Sequence, residues 1–476
     1  MDGTRRGGAE MGAADRQRSA RAAHGGLAGR STARPFPYPL AAKLGRSHMH
    51  RQSHLAALVT LLAATSLVGC EASSAASEAG PSQPDAPVAN TRAGAEVLVD
   101  DSLSLVAGRR VGLITNHTGL VGTDSSGVRS TADVLAELPD VDLVALFAPE
   151  HGIRGEAEAG VAVEDAVDAA TGVPVYSLYG GTREPSADLL ADLDVLLFDI
   201  QDIGTRYYTY VWTMSLAMEA AGRAGVPFVV LDRPNPIGGT IQGNVLDPEY
   251  STFVGRYPVP MRHGLTPGEL ARLLVGEFGV AVDLTVVPSD GWTRDQPFGA
   301  TGLPWVPPSP NMPSVTSALH YPGTCLFEGT PLSVGRGTAI AFQQIGAPWI
   351  DAAALVEALD AYDLPDTEFE AVTFVPERPG DGKFGGEEVH GVRFRATGPA
   401  YDPTHAAVAV LIETHAQSGD RWEWRTAHFD RLAGTDALRL GIEDGATLDA
   451  LTADWPEQLA AFDALRQPYL IYPETP

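Results

Sequence analysis

Glu150, His151 and Arg154 fall within five residues, directly after the apolar run LVALFAP that ends at Pro149. An acid, an imidazole and a guanidinium set just beyond a core strand are groups that move protons and hold anions. Polar side chains follow apolar runs in the same way at three other points: Asn116 and His117; Asp199, Gln201 and Asp202; Asp232, Arg233 and Asn235. Glycoside hydrolysis needs such a set, one carboxylic acid to protonate the leaving oxygen and a second group to attack or stabilise the anomeric centre. The acid must keep its proton near neutral pH, which burial or a neighbouring like charge arranges. Glu150, pressed between a strand end and a cleft, is the candidate for that acid. His151 is placed to orient it or to act in the reverse proton transfer, and Asp199 or Asp202 is a candidate second carboxylate.

The same residue types also serve as structure. An aspartate after a strand caps the next helix or pins a turn, a competing role for Asp202 and Asp232. Glu150 can simply hold Arg154 in a surface loop. Asn116 and Asn311 suit backbone-bonding turns as well as substrate clamps. Tyr207, Tyr208, Tyr210 and Trp212 divide between core and a wall fit for the C–H face of a sugar. His117, His151, His263 and Asp199 have the donor atoms of a metal site but not its ligand spacing. Other chemistries lack their signatures: no G-x-G-x-x-G follows the first strand, no Walker A, G-x-S-x-G or H-E-x-x-H occurs, and Lys383 is not in an S-x-x-K.

The elements that must position these residues repeat one grammar. RRVGLITNHTG (109–119), VDLVALFAPEHG (141–152), LDVLLFDIQDIGTRYY (193–208) and VPFVVLDRPNPIGG (226–239) each run from a β-branched or leucine-rich stretch into polar residues. Near-continuous apolar runs fit strands covered on both faces. Helical patterns lie between them, over 130–138, 186–193 and 207–224, the last closed by Gly225. Thr266, Pro267 and Glu269 form a capping box with proline at the first helical position. Alternating β and α predicts an α/β fold with a doubly wound, mostly parallel sheet, whose ligands bind beyond the carboxyl ends of its strands. The four polar clusters all fall on that face. The proline-rich GLPWVPPSPNMPS (302–314) separates a first domain over 95–315 from a smaller α/β domain over 316–476.

The N-terminal stretch reads differently. Residues 1–48 have no apolar period and are taken as an unstructured extension or a misplaced start ahead of Met49. Arg51, the apolar run Leu55–Leu67 and LVGC ending at Cys70 have the form of a lipoprotein signal peptide. Cys70 is then the lipidated first residue of an exported protein anchored in the bacterial cell envelope, and 71–94 a flexible linker. The chain carries 33 basic and 60 acidic side chains; beyond Cys70 they number 23 and 57, a formal charge of −34. Such a surface excludes nucleic acid and leaves the lipid anchor as the contact with membrane. With Cys70 acylated, Cys325 has no partner for an intrachain disulfide.

The motifs VGLITNHTGL, FAPEHGIRGEAEAG, FDIQDIGTRYYTYVWTM, LDRPNPIGG, PMRHGLTPGELA, PPSPNMPS, YPGTCLFEGTPLSVGRGT and YLIY, in that order, resemble the DUF1343 family of NamZ-type exo-β-N-acetylmuramidases, over about Val97 to Tyr472. The resemblance implies a Rossmann-like first domain, a smaller second one and a site in the cleft between them. It implies cofactor-free release of terminal N-acetylmuramic acid (MurNAc) from the non-reducing ends of peptidoglycan fragments such as MurNAc–GlcNAc. It implies catalytic roles for the PEHG glutamate, Glu150, and the FEGT glutamate, Glu328, and makes Arg262 and His263 of MRHG site candidates. The lactyl carboxylate of MurNAc asks for a bidentate guanidinium, and Arg154, Arg206, Arg233, Arg262 and Arg336 all lie in or beside these motifs. A noncatalytic muropeptide-binding lipoprotein and a metal-dependent hydrolase of cell-wall fragments are the alternatives.

Overall fold

The computed structural model describes residues 91–123, 127–155 and 165–474; the signal segment, Cys70 and nearly all of the 71–94 linker lie outside the described residues. Among the described residues no helix is long and apolar enough to cross a membrane. Folded structure begins earlier than the expected Ala95. Thr91 is buried, Arg92 bonds Asp290 and Asp101, and a Cβ on Gly94 would fall 2.4 Å from the backbone nitrogen of Asp232.

The main sheet has seven strands: β1 (Arg110–Thr115), β2 (Asp142–Ala148), β3 (Ala166–Val167), β4 (Pro174–Ser177), β5 (Val195–Asp199), β6 (Phe228–Leu231) and β7 (Leu284–Val287). Their order is β7-β6-β5-β1-β2-β4-β3, parallel throughout except for β3 at the edge. The chain leaves β1 toward β2 on one side and returns to β5 on the other, so the topological switch point lies between β1 and β5. Every residue of β5 and β6 is buried, as continuous apolar strands between two helical layers must be.

Helix α1 (Tyr210–Ala224) packs its Trp212, Met214 and Met218 on one face of the sheet and ends at Gly225 in the left-handed region, φ 71°. Helix α2 (Pro267–Gly276) carries the complete Thr266–Glu269 capping box. The C-terminal half contributes α3 (Val315–Thr324), a short antiparallel sheet of β8 (Gln344–Ala347), β9 (Thr367–Phe374) and β10 (Val389–Ala396), then α4 (Pro403–Ser418) and α5 (Thr426–Ala433). Gly323 of α3 lies so near α4 that a Cβ there would meet the Pro403 carbonyl at 1.9 Å. One hydrophobic core runs without a break from Phe147, Phe198 and Phe228 of the sheet through Trp212 to Ile345, Val408 and Phe429. A second core, including Leu113, Leu197 and Leu98, covers the opposite face. The two halves therefore share an interior, and the sheet's carboxyl rim faces α3, α5 and the loop between β9 and β10 across a gap.

Candidate active site

That gap is a cleft of about 740 Å³. From the sheet side it is lined by Glu150, His151, Tyr179 and Tyr207 to Tyr210, and from the other half by Tyr321, Cys325, Glu328 and Arg336. Pro149 ends β2 and begins a turn that Gly152 closes by donating its N–H to the Pro149 carbonyl at 3.1 Å. His151, third in this turn, has φ 73°, a conformation normally left to glycine. Strain of this kind persists where surrounding structure enforces it, and here it fixes the direction of the residue just before it, Glu150. Thr209, at the head of α1, does not cap the helix with its hydroxyl. It donates to Glu150 Oε2 at 2.8 Å instead. Tyr179 stands against the same carboxylate: burial, then the charge and hydrogen bonding of Glu150, push its phenol well above the usual range.

Glu328 faces this wall from a 3-10 turn after α3 (Cys325–Gly329). Burial favours its protonation, but the Arg336 guanidinium beside it outweighs burial and holds the carboxyl below its ordinary value. Arg336 Nε donates to Glu328 Oε1 at 2.9 Å and its terminal nitrogen to the same oxygen. The turn is locked to α5, since a Cβ on Gly329 would fall 2.6 Å from the Phe429 Cα. Helix α5 brings Arg425, His428 and Arg431 to the cleft at helical spacing, and the β9–β10 loop brings Arg378, Asp381 and Lys383. Burial pushes Lys383 down to about 8, and its ammonium donates to the Phe327 and Leu332 carbonyls. Five cationic side chains thus line the cleft against three carboxylates, in a chain where acids outnumber bases by 60 to 33.

Of the residues proposed from sequence, Glu150, His151, Tyr207, Asn311, Glu328 and Arg336 line this cleft. The others are built into the fold beside it. Asp199 is fully buried in a two-point ion pair with Arg233 (2.6 and 3.0 Å) and also accepts from Thr131. Asn116 holds its own turn by accepting from the backbone and hydroxyl of Thr118. Gln201 donates to the carbonyls of Asp202 and Pro234, and Asn235 to that of Leu265. Asp232 accepts from Thr266, Gly268 and Tyr472. Burial pushes it up to about 6, against the pull of those hydrogen bonds. Asp202 and His263 stand 3.8 Å apart. Burial pushes Asp202 up to about 7 and His263 down to about 3.

The motif arginines are committed as well. Arg154 is spent on Asp168 and Asp133. Arg262 donates to Gln242 Oε1 and the Ile237 carbonyl. Arg206 is wholly buried and donates to four carbonyls, those of Asn244 and Val259 in one half and of Leu432 and Ala433, at the end of α5, in the other. A cation is favoured at that end of a helix. His117 bonds the Pro307 carbonyl, and among the described residues no three His, Cys, Asp or Glu side chains are grouped to hold a metal ion.

The positions missed from sequence are Tyr179, Thr209, Arg378, Asp381, Arg425, His428 and Arg431. The spacing in RTAHFDR, three polar residues three apart, was the one signal available for the last three.

The family model for the N-terminal domain of the exo-β-N-acetylmuramidase NamZ matches residues 111–316, and that for its C-terminal domain matches 319–472. Over 382 residues the chain is 45% identical to the peptidoglycan β-N-acetylmuramidase NamZ of Bacillus subtilis (strain 168), covering 80% of this chain and 91% of that one. A crystal structure of a DUF1343 family protein from Bacteroides fragilis NCTC 9343 superposes with a TM-score of 0.75 at 37% identity, over 81% of this chain and all of that one. A second from the same organism gives 0.64 at 32%, over 81% and 99%. Family models over both halves, and a relative covered almost end to end, place this chain in the NamZ, or DUF1343, family.

Proposed function

We propose that this protein is an exo-acting β-N-acetylmuramidase that hydrolyses terminal, non-reducing MurNAc from peptidoglycan fragments, with Glu150 as proton donor. One observation carries the reading: in a chain 45% identical to the Bacillus subtilis β-N-acetylmuramidase, Glu150 stands in a cleft formed by both halves, its carboxyl tied to Thr209. A tethered carboxyl is already oriented toward a glycosidic oxygen, which lowers the cost of reaching the reactive geometry. In the reaction the C1–O bond breaks, the acid's proton goes to the leaving oxygen, and water supplies the new C1–OH and the replacement proton. Glu328, kept anionic by Arg336, has the charge needed to stabilise a cationic anomeric centre or to activate that water. Tyr207, Tyr208 and Tyr321 give the cleft wall an aromatic stretch for the sugar to pass against. None of these steps calls for a cofactor. Incubation with chromogenic β-glycosides of MurNAc and of GlcNAc tests the proposal: release from the MurNAc glycoside is expected, and turnover of neither overturns it.

We also place the protein outside the cytoplasm, anchored through Cys70, on the strength of the LVGC segment and its preceding apolar run. Fatty-acid labelling in vivo that disappears in Cys70→Ala is the expected result; a labelled variant or an unlabelled parent defeats it.

A further inference from the structure

We infer that helix α5 carries the selectivity of the cleft: Arg431, held in place by His428, receives the lactyl carboxylate of MurNAc. The inference rests on the muramidase reading above. MurNAc differs from GlcNAc by one lactyl ether on O3, an anion within a ring's width of the anomeric carbon. A cation that selects for it must line the cleft, be free of any protein carboxylate, and stand near the proton donor.

The five motif arginines fail one condition or another. Arg154 and Arg233 are paired with aspartates away from the cleft, Arg206 and Arg262 are buried behind it, and Arg336 is neutralised by Glu328. Lys383 is occupied by two carbonyls. Among the described residues Arg378, Arg425 and Arg431 line the cleft without an ion pair. Arg378 belongs to the β9–β10 loop with Asp381, and Arg425 donates to the backbone carbonyl of Glu328 at 3.3 Å. Of these three, it is Arg431 whose charge acts on Tyr179, the residue standing against Glu150. Its neighbour His428 feels Glu328 on the other wall. Arg431 therefore lines the cleft beside a histidine that also lines it, with its charge felt at the Glu150 wall.

His428 orients that guanidinium. Arg431 donates to its Nδ1 at 2.5 Å, and burial, then Arg431, push the imidazole down to about 4. The neutral ring then carries its proton on Nε2 and keeps Nδ1 as the acceptor for Arg431. The imidazole fixes one nitrogen of the guanidinium and leaves its remaining N–H groups for a carboxylate.

The test compares kcat/KM on a chromogenic β-MurNAc glycoside and on the same glycoside with its lactyl carboxylate methylated. The parent protein is expected to prefer the free acid. Arg431→Ala should lose about 30-fold on the acid, the scale of removing one partner of a desolvated charge pair, with little change on the ester. Arg431→Lys should recover part of the preference, and Arg378→Ala should keep all of it. The side chain of Arg431 is exposed, and thermal melts confirm folding; should the alanine variant not fold, Arg431→Gln takes its place. An acid-to-ester ratio that survives loss of Arg431, or that collapses in Arg378→Ala, overturns the inference. So does a parent that turns over both substrates equally. A parent that turns over neither overturns the muramidase reading instead.

Discussion

The rim above β1, β5 and β6 and the rim above β2 and β4 are made of the same residue types, yet one is sealed and the other open. At the switch point between β1 and β5, where doubly wound sheets usually open a crevice, the Asp199–Arg233 pair and its neighbours leave a pocket of about 10 Å³. Above β2 the cleft measures about 740 Å³. The difference lies in where partners come from. Asp199 and Arg233 are delivered by adjacent strands and satisfy each other, and Asp232 finds Thr266 and Gly268 at the head of α2. Glu150 faces Glu328 and α5, which belong to the other half and are held at a distance by the shared core. Polar residues at strand ends become structure when they can reach one another, and remain available for chemistry when something else keeps their counterparts apart.

The comparison breaks or sharpens under substitution. The largest effect is expected at the open rim: Glu150→Gln should cut release of MurNAc by about 10³-fold, the scale of a lost general acid, with an unchanged urea midpoint. A variant that keeps its rate, or loses its fold, erases the distinction between the two rims. At the closed rim Asp199→Asn should do the reverse, costing about 3–5 kcal/mol in urea unfolding because Arg233 is left buried and uncompensated, while each folded molecule keeps its activity.

A smaller effect belongs to Asp202. Its folded pKa, about 7, lies above the unfolded carboxylate value, so its contribution is fully present below about pH 4 and is lost as pH rises toward 7. Asp202→Asn should flatten this slope, a change of about 2–4 kcal/mol between pH 4 and pH 8. Urea titrations across that window check it, and an unaltered slope refutes it. The smallest change is expected for Arg154→Ala, a half-exposed pair worth about 1 kcal/mol or less in thermal melts; a larger loss would move Arg154 into the group of essential rim residues.

Much of the frame was legible in the sequence. Four apolar runs became β1, β2, β5 and β6, and the capping box at Thr266 formed as its residues dictate. That the cleft lies at the sheet's carboxyl rim followed from parallel-sheet logic, and the place of Glu150 on its wall from its position just past a strand. What could not be read was which polar clusters close on themselves. Asp232 depends on Tyr472, 240 residues away, and Arg206 on Leu432, 226 residues away. Nor does any residue-type pattern announce a histidine in a left-handed turn, φ 73°. The cations of α5 were hidden for a related reason. Arginine and histidine three apart on a helix usually face solvent, and here the helix is docked onto the Glu328 turn through the close approach of Gly329 and Phe429.

Arg206 has one more implication. A single guanidinium grips oxygens from both halves, so the jaws of the enzyme cannot swing apart without tearing four bonds inside a dry interior. The gauge of the cleft is then set by a bolt well behind the residues that line it.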